Sequence, residues 1–214
     1  MRKNTKLLKD ILGRSFILGG SPCSGKSTIA KRLAAQHDLA YYKVDDHDRA
    51  HMARIDPARH PTMHAFVQMN WNEVWSRPVA LQVAEELAFY HERFEMILED
   101  LEVLDRERPV LLEGAALLPE LIHQWGVKLN RALYLIPTKA FQVRHYSQRP
   151  WIKDILRECD DPEQAFDNWM ERDHQFGQEI INQLCLFRYE YIVIDGNKVI
   201  DEITRVVRNH FRLR

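Results

Sequence analysis

"FILGGSPCSGKSTIAKRLA", residues 16–34, runs from an apolar stretch through a turn crowded with Gly, Ser and Pro into a pattern of helical period. The spacing Gly20-x-x-x-x-Gly25-Lys26-Ser27 matches the phosphate-binding loop G-x-x-x-x-G-K-[ST] (Walker A), so nucleotide binding is the first expectation. Ile29, Ala30, Leu33 and Ala34 recur at helical spacing after the turn, which puts the loop at the strand-to-helix junction the motif requires. Small residues let the backbone of Gly20, Ser21, Pro22, Cys23, Ser24 and Gly25 fold tightly and aim its N–H groups at the β- and γ-phosphates, with the helix dipole adding positive charge. Lys26 supplies a point charge to the transferring phosphate, and the Ser27 hydroxyl, with Thr28 beside it, is placed to ligate Mg²⁺. Cys23 reads as a small filler of the loop rather than a redox sensor.

Outward from this loop, five short apolar segments alternate with stretches of helical period: 15–20, 39–44, 110–114, 132–136 and 191–195. The alternation predicts an α/β domain with a largely parallel sheet. About 65 residues between the second and third segments exceed any simple connection and predict a helical insertion over about 47–106. Its second half, Val79 to Leu104, carries Val83, Leu87, Phe94, Ile97, Leu98, Leu101 and Leu104 on one side of a long helix. Its first half, "HPTMHAFVQMNWNEVWSRP", reads as one shorter helix that closes over a ligand. A further helix opens at "DDPEQAF" and buries Phe166, Trp169, Phe176, Ile180, Leu184 and Phe187, with Asp173 on the same stripe. A carboxylate there needs a partner; Arg172 projects roughly 100° away on a helix, so an arginine from the lid is the expected one.

The second segment ends "YYKVDDHDRAH", placing Asp45, Asp46 and Asp48 at the carboxyl edge where open α/β sheets bind ligands. One such carboxylate can take the proton of an acceptor hydroxyl and another can hold the metal or its water. Side chains alternate on an extended chain, so Asp45 and Asp46 should diverge; Asp45 is expected to face Ser27 and Glu113. Glu113 ends the third segment, "VLLEGAALLP", within reach of Mg²⁺ or the acceptor; a solvent-facing acid at a strand end is the plainer alternative. Ser27, Asp45 and Glu113 form the expected metal set. Asp48, Glu113 and Arg93, on the long helix, are the expected acceptor contacts. Arg144 and Arg149, in "PTKAFQVRHYSQRPW", flank a segment after the fourth strand with the makings of a lid over about 138–160, where arginines would clamp the phosphates. His47 and His51, like His60 and His64, are four apart; without a third ligand, exposed or capping histidines are expected rather than a zinc site. Trp71, Trp75 and Trp169 are expected in a core more than as a ligand platform.

Across the 214 residues, 30 Lys and Arg oppose 31 Asp and Glu for a formal net charge of −1, which argues against a polyanionic partner such as nucleic acid. Three scattered cysteines suit free thiols and a cytoplasmic location. The start, "MRKNTKLLKDILGRS", lacks the apolar run of a signal peptide and reads as a short amphipathic helix, and no run approaches the ~20 residues that span a bilayer.

Taken in order, "GGSPCSGKST", "VDDHD", "LLEG" and "RHYSQR" resemble the P-loop kinases of small molecules and nucleotides over nearly the whole chain, as one domain spanning 1–214. "VLLEGAALLP" also looks like the corresponding strand of 2-phosphoglycerate kinase-like proteins. The resemblance implies a sheet ordered 2-3-1-4-5, ATP with Mg²⁺, an acceptor site under the insertion and a lid that closes over ATP. It gives Lys26 and Ser27 the phosphate and metal roles, Asp45 or Asp46 the acceptor-activating role, and Arg144 and Arg149 the lid role. The expected activity is transfer of the γ-phosphoryl group to a hydroxyl or phosphate of a small molecule, by a monomer or homodimer. The rival is an ATP-binding switch that transfers nothing. A GTPase is disfavoured because Asn197-Lys198-Val199-Ile200-Asp201 is one residue longer than the guanine-reading pattern.

Overall fold

The structure is a computed structural model and describes residues 4–104 and 107–213. Residues 105 and 106, the end of the expected insertion, and the extremes of the expected 1–214 domain lie outside it.

In chain order the elements are α1 (Thr5–Arg14), β1 (Phe16–Gly20), α2 (Lys26–Gln36), β2 (Ala40–Lys43), a 3₁₀ turn (Val44–His47), α3 (Asp48–Met52), α4 (Pro61–Phe66), α5 (Trp71–Trp75) and α6 (Val79–Val103). There follow β3 (Val110–Glu113), α7 (Pro119–Gln124), β4 (Ala132–Pro137), α8 (Lys139–Tyr146), α9 (Pro150–Leu156), α10 (Pro162–Phe187), β5 (Glu190–Ile194) and α11 (Ile200–His210). All strand pairs are parallel and the sheet order is β2-β3-β1-β4-β5. This is the α/β architecture and the strand order 2-3-1-4-5 expected from the sequence.

Period-two alternation sorts the strand residues onto two faces. Ile17, Tyr42, Leu112, Tyr134 and Ile136 pack with α1, α6, α7 and α10 on one side, while Phe16, Leu18, Leu111, Leu133 and Leu135 pack with α2 and α11 on the other. Because β1 lies between β3 and β4, the strand order reverses beside it, and the carboxyl end of β1 opens into the crevice where such sheets take ligands. A third apolar cluster joins Val74 and Trp75 of α5, Tyr146 of α8, Ile152 of α9 and Trp169 of α10. It ties the segment expected as a lid to the insertion.

Two local expectations are corrected. The first half of the insertion is two short helices, α4 and α5, not one: Asn70 starts a new helix by capping Glu73 N–H at 2.9 Å, and Glu73 returns a bond to Asn70 N–H. The second strand stops at Lys43, and residues 44–47 coil into the 3₁₀ turn, so Asp45 and Asp46 do not sit on extended chain.

Candidate active site

The loop from Gly20 to Gly25 is held open by backbone that favours small residues. Gly20 has φ +119°, and a Cβ there would run into the carbonyl oxygen of Leu135 on β4; Gly25 caps α2 at φ +83°. Gly177 of α10 braces the loop from behind: a Cβ at that position would meet Ser21 Oγ at 3.4 Å. Inside the loop Lys26 is buried, and Nζ donates to Ser21 O at 2.6 Å and Ser24 Oγ at 3.2 Å. Burial pulls its pKa below the ordinary lysine value, with Glu113 and Asp45 pulling the other way. The first-turn N–H groups of α2 have no intrahelical acceptor. Lys26 and these N–H groups form a cradle for an anion.

The acids after β2 separate by direction. Asp46 is turned outward and ion-paired with Lys43 at 2.8 Å, its side chain 65% exposed. Asp45 acts electrostatically on Lys26, Glu113 and Asp48, and lines a cavity of about 540 Å³. Successive residues of a 3₁₀ turn project about 120° apart, which produces the same divergence that strand alternation predicts. Glu113 is 1% exposed rather than solvent-facing; it accepts from Tyr41 Oη at 3.0 Å and from the Ser27 hydroxyl. Burial raises its pKa, Lys26 opposes that, and Asp45 adds to it. A buried carboxylate beside Ser27 and Asp45 fits a hard cation such as Mg²⁺, whose charge would offset the burial. Thr28 is exposed on α2.

Asp48 and Arg93 meet each other. Arg93, 4% exposed on α6, pairs with Asp48 and donates to Val44 O at 2.7 Å and to His51 Nδ1 at 3.1 Å. His51 in turn hydrogen-bonds Asp100 at 2.8 Å through Nε2, and Asp100 also takes Tyr42 Oη at 2.7 Å and Arg54 at 2.7 Å. Arg93 therefore grips the turn that carries Asp45. His51 is fully buried, not an exposed or capping histidine, and His60 is buried too, accepting from Asp56 N–H. His47, His51 and Asp100 converge with their ligand atoms within 4.8 Å of one another, so α6 supplies the third ligand that the sequence spacing did not show.

The cavity beside Asp45 has a volume of about 540 Å³ and lies under α4, α5 and α6. Trp75 and Trp169, buried and stacked with ring centroids 4.1 Å apart, belong both to the third apolar cluster and to its wall. A second cleft of about 270 Å³ opens at the loop, between Cys23 to Gly25, Phe141 and His145 of α8, Arg149, Lys198, and Ile200 at the start of α11. The two arginines of the expected lid part company here. Arg149 reaches Cys23 Sγ at 3.5 Å and stacks over Tyr146, whereas Arg144 lies over Phe141 beside Gly196. Cys23, Cys159 and Cys185 are free thiols, and burial raises the pKa of Cys23.

Asp173 is fully buried, and its partner is the neighbour that helical geometry disfavours. Arg172 Nε lies 2.9 Å from Asp173 Oδ1 and Arg172 also pairs with Glu86 of α6, while no lid arginine reaches it. The aliphatic stem of Arg172 lets the guanidinium curl back, but the contact lacks hydrogen-bond alignment, and the Tyr146 hydroxyl is the donor that faces the carboxylate. The Arg172–Glu86 pair, the Arg77–Glu85 pair and Asp100 of the Arg93 network went unread in the sequence, because each joins residues from different elements with no helical or strand spacing to mark them. Among the described residues no helix is long and apolar enough to cross a membrane.

No known family profile matches the chain, and no curated protein matches it. Among solved structures, it overlaps an uncharacterized protein from Eubacterium ventriosum at 15% identity and TM-score 0.46, covering 94% of this chain and 99% of that one. It also overlaps a shikimate kinase from Acinetobacter baumannii, solved with shikimate, at 14% identity and TM-score 0.41 with 96% of each chain covered. A shikimate kinase from Aquifex aeolicus overlaps at 16% identity and TM-score 0.40, covering 92% of this chain and 96% of that one. Likenesses this loose carry no functional assignment.

Proposed function

We propose that the protein is an ATP-dependent kinase that transfers the γ-phosphoryl group to a hydroxyl or phosphate of a small molecule. The observation that carries this reading is the position of Asp45, which lines the 540 Å³ cavity and at the same time acts on Lys26 inside the phosphate loop. A carboxylate shared by a phosphate cradle and a roomy cavity is what in-line transfer between two bound substrates requires. A switch protein needs the cradle but has no use for the second cavity.

In this mechanism the loop backbone from Gly20 to Thr28 and the Lys26 ammonium bind and orient the triphosphate. Ser27, Asp45 and Glu113 would hold Mg²⁺, which offsets phosphate charge when bound. Asp45 orients the acceptor hydroxyl and takes its proton as the O–P bond forms; Asp46, turned toward Lys43, has no part in that step. Arg149, at Cys23, is the lid arginine that would clamp the phosphates, while Arg144 lies out by Gly196. Catalysis is then positional and electrostatic. The test is Mg²⁺-dependent ATP turnover against a panel of hydroxylated and phosphorylated metabolites. Tight ATP binding with no acceptor consumed would favour the switch.

A further inference from the structure

The charges that line the 540 Å³ cavity cancel in pairs. Arg93 is paired with Asp48, Arg77 with Glu85 and Arg172 with Glu86. Among the described residues, these three arginines are the only Lys or Arg in the lining, and Asp45 is the carboxylate left over. An acceptor carrying a phosphate or carboxylate would therefore lose its hydration without gaining a free cation, or would have to break an existing pair and strand its acid.

Besides Arg77 Nε, Arg172 Nε and Glu86 Oε2, which belong to the ion pairs, the described residues of the wall hold two neutral polar atoms without a partner. Trp75, 4% exposed, has an indole Nε1–H with no acceptor, and Gln82, 5% exposed, has an amide Oε1 with no donor. These offer one donor and one acceptor to hydroxyl, carbonyl or amide groups. Around them Phe66, Phe89 and Tyr90 add ring surface suited to a flat or apolar body.

We propose that the acceptor is an uncharged, ring-bearing alcohol with polar ring substituents, phosphorylated on a hydroxyl, and that molecules already bearing a phosphate or carboxylate are rejected. This rests on the cavity being the acceptor site, and it narrows the proposed activity to alcohols. In the transfer the acceptor oxygen forms a bond to the γ-phosphorus, the bond from that phosphorus to the β,γ-bridging oxygen breaks, ADP leaves with the bond's electron pair, and the hydroxyl proton passes to Asp45. Glu85 and Glu86 are specificity-determining residues in this account, because they neutralise the arginines that would otherwise attract anions.

The experiment uses matched pairs: nucleosides against their 5′-monophosphates, and cyclic polyols against the corresponding ring carboxylates. Each compound is measured for phosphorylation by ATP and, with a non-hydrolysable ATP analogue, for binding by calorimetry. The expected result is binding of uncharged members roughly tenfold or more tighter than their anionic partners. Equal or tighter binding of the anionic members overturns the proposal, and so does binding of no member of either set. Binding of uncharged members without phosphorylation leaves the charge preference standing and removes the kinase reading, so the two failures are distinguishable. Glu85→Gln, at the more exposed pair, releases Arg77 and should narrow the preference several-fold in favour of anions; Glu86→Gln should do the same through Arg172. Preferences unchanged in both variants would contradict ion pairing as the cause.

Discussion

Replacing Arg93 by lysine tests how the turn bearing Asp45 is held. The guanidinium serves three partners at once, Val44 O at 2.7 Å, His51 Nδ1 at 3.1 Å and Asp48, and a compact ammonium without the planar fork cannot span them. The Asp48 pair is half-exposed and contributes at most ~1 kcal/mol. The two buried bonds come from a charged donor and carry ~1.5–3 kcal/mol each. If lysine keeps one of the three, Arg93→Lys loses ~2–3 kcal/mol, a fall in Tm of roughly 4–12 °C for a chain of this size. The 3₁₀ turn then loosens, and misplacement of Asp45 by about 1 Å lowers kcat by up to ~10²-fold with little change in ATP affinity. Thermal denaturation and steady-state kinetics on the same preparation check both halves. A variant with wild-type Tm and wild-type kcat would refute the claim that Arg93 positions Asp45; a large stability loss with unchanged kcat would leave Arg93 a purely structural residue.

Asp45→Asn should lower kcat by roughly 10²- to 10⁴-fold while Asp46→Asn stays near wild type, and the reverse ranking would transfer the acceptor-activating role to Asp46. Burial raises the Asp173 pKa to about 7, well above the ordinary aspartate value; Arg172, a hydrogen bond from Tyr146 and Lys26 oppose the shift, and Glu86 adds to it. Between about pH 4 and 7 the folded protein thus holds a proton that the unfolded chain has lost, so this group's contribution falls as pH rises through that window. Asp173→Asn should therefore raise Tm more at pH 8 than at pH 5, and an equal or opposite change at the two pH values would contradict the assignment. Gly20→Ala forces a Cβ into the Leu135 backbone at positive φ and should cost ~3 kcal/mol or more in urea unfolding, whereas Gly13→Ala meets open space on α1 and should add up to ~1 kcal/mol.

The loop and the sheet were legible because their signals are local. Glycine spacing fixes the turn at Gly20 and Gly25, and apolar runs fix the strands to within a residue or two. Glu113 and Asp45 could be placed on one sheet edge because Glu113 ends β3 and Asp45 lies two residues past β2. The end of β2 was misjudged because three aspartates and a histidine have no apolar alternation to show where extended chain stops. The break between α4 and α5 depends on the Asn70–Glu73 capping box, a polar signal hidden inside an apolar stretch. The Asp173 partner was misassigned because ideal projection angles ignore how far an arginine stem can bend back. The Asp100–His51–Arg93 chain and the paired charges of the cavity are products of α6 packing against α3, α5 and α10, and no spacing along the sequence encodes that packing.

The central claim is that Lys26 and Asp45 serve one phosphoryl transfer between two bound substrates. Its most direct measurement is transfer of label from ATP carrying a labelled γ-phosphate into a mixture of small uncharged alcohols, with wild type and Lys26→Ala side by side and circular dichroism confirming that both are folded. The account predicts label on an organic acceptor with wild type and its near-complete loss in Lys26→Ala, whose lysine bonds only to oxygens of its own loop and contributes little to the core. Label that stays on ATP or passes only to water with wild type, or transfer by Lys26→Ala at the wild-type rate, would contradict it.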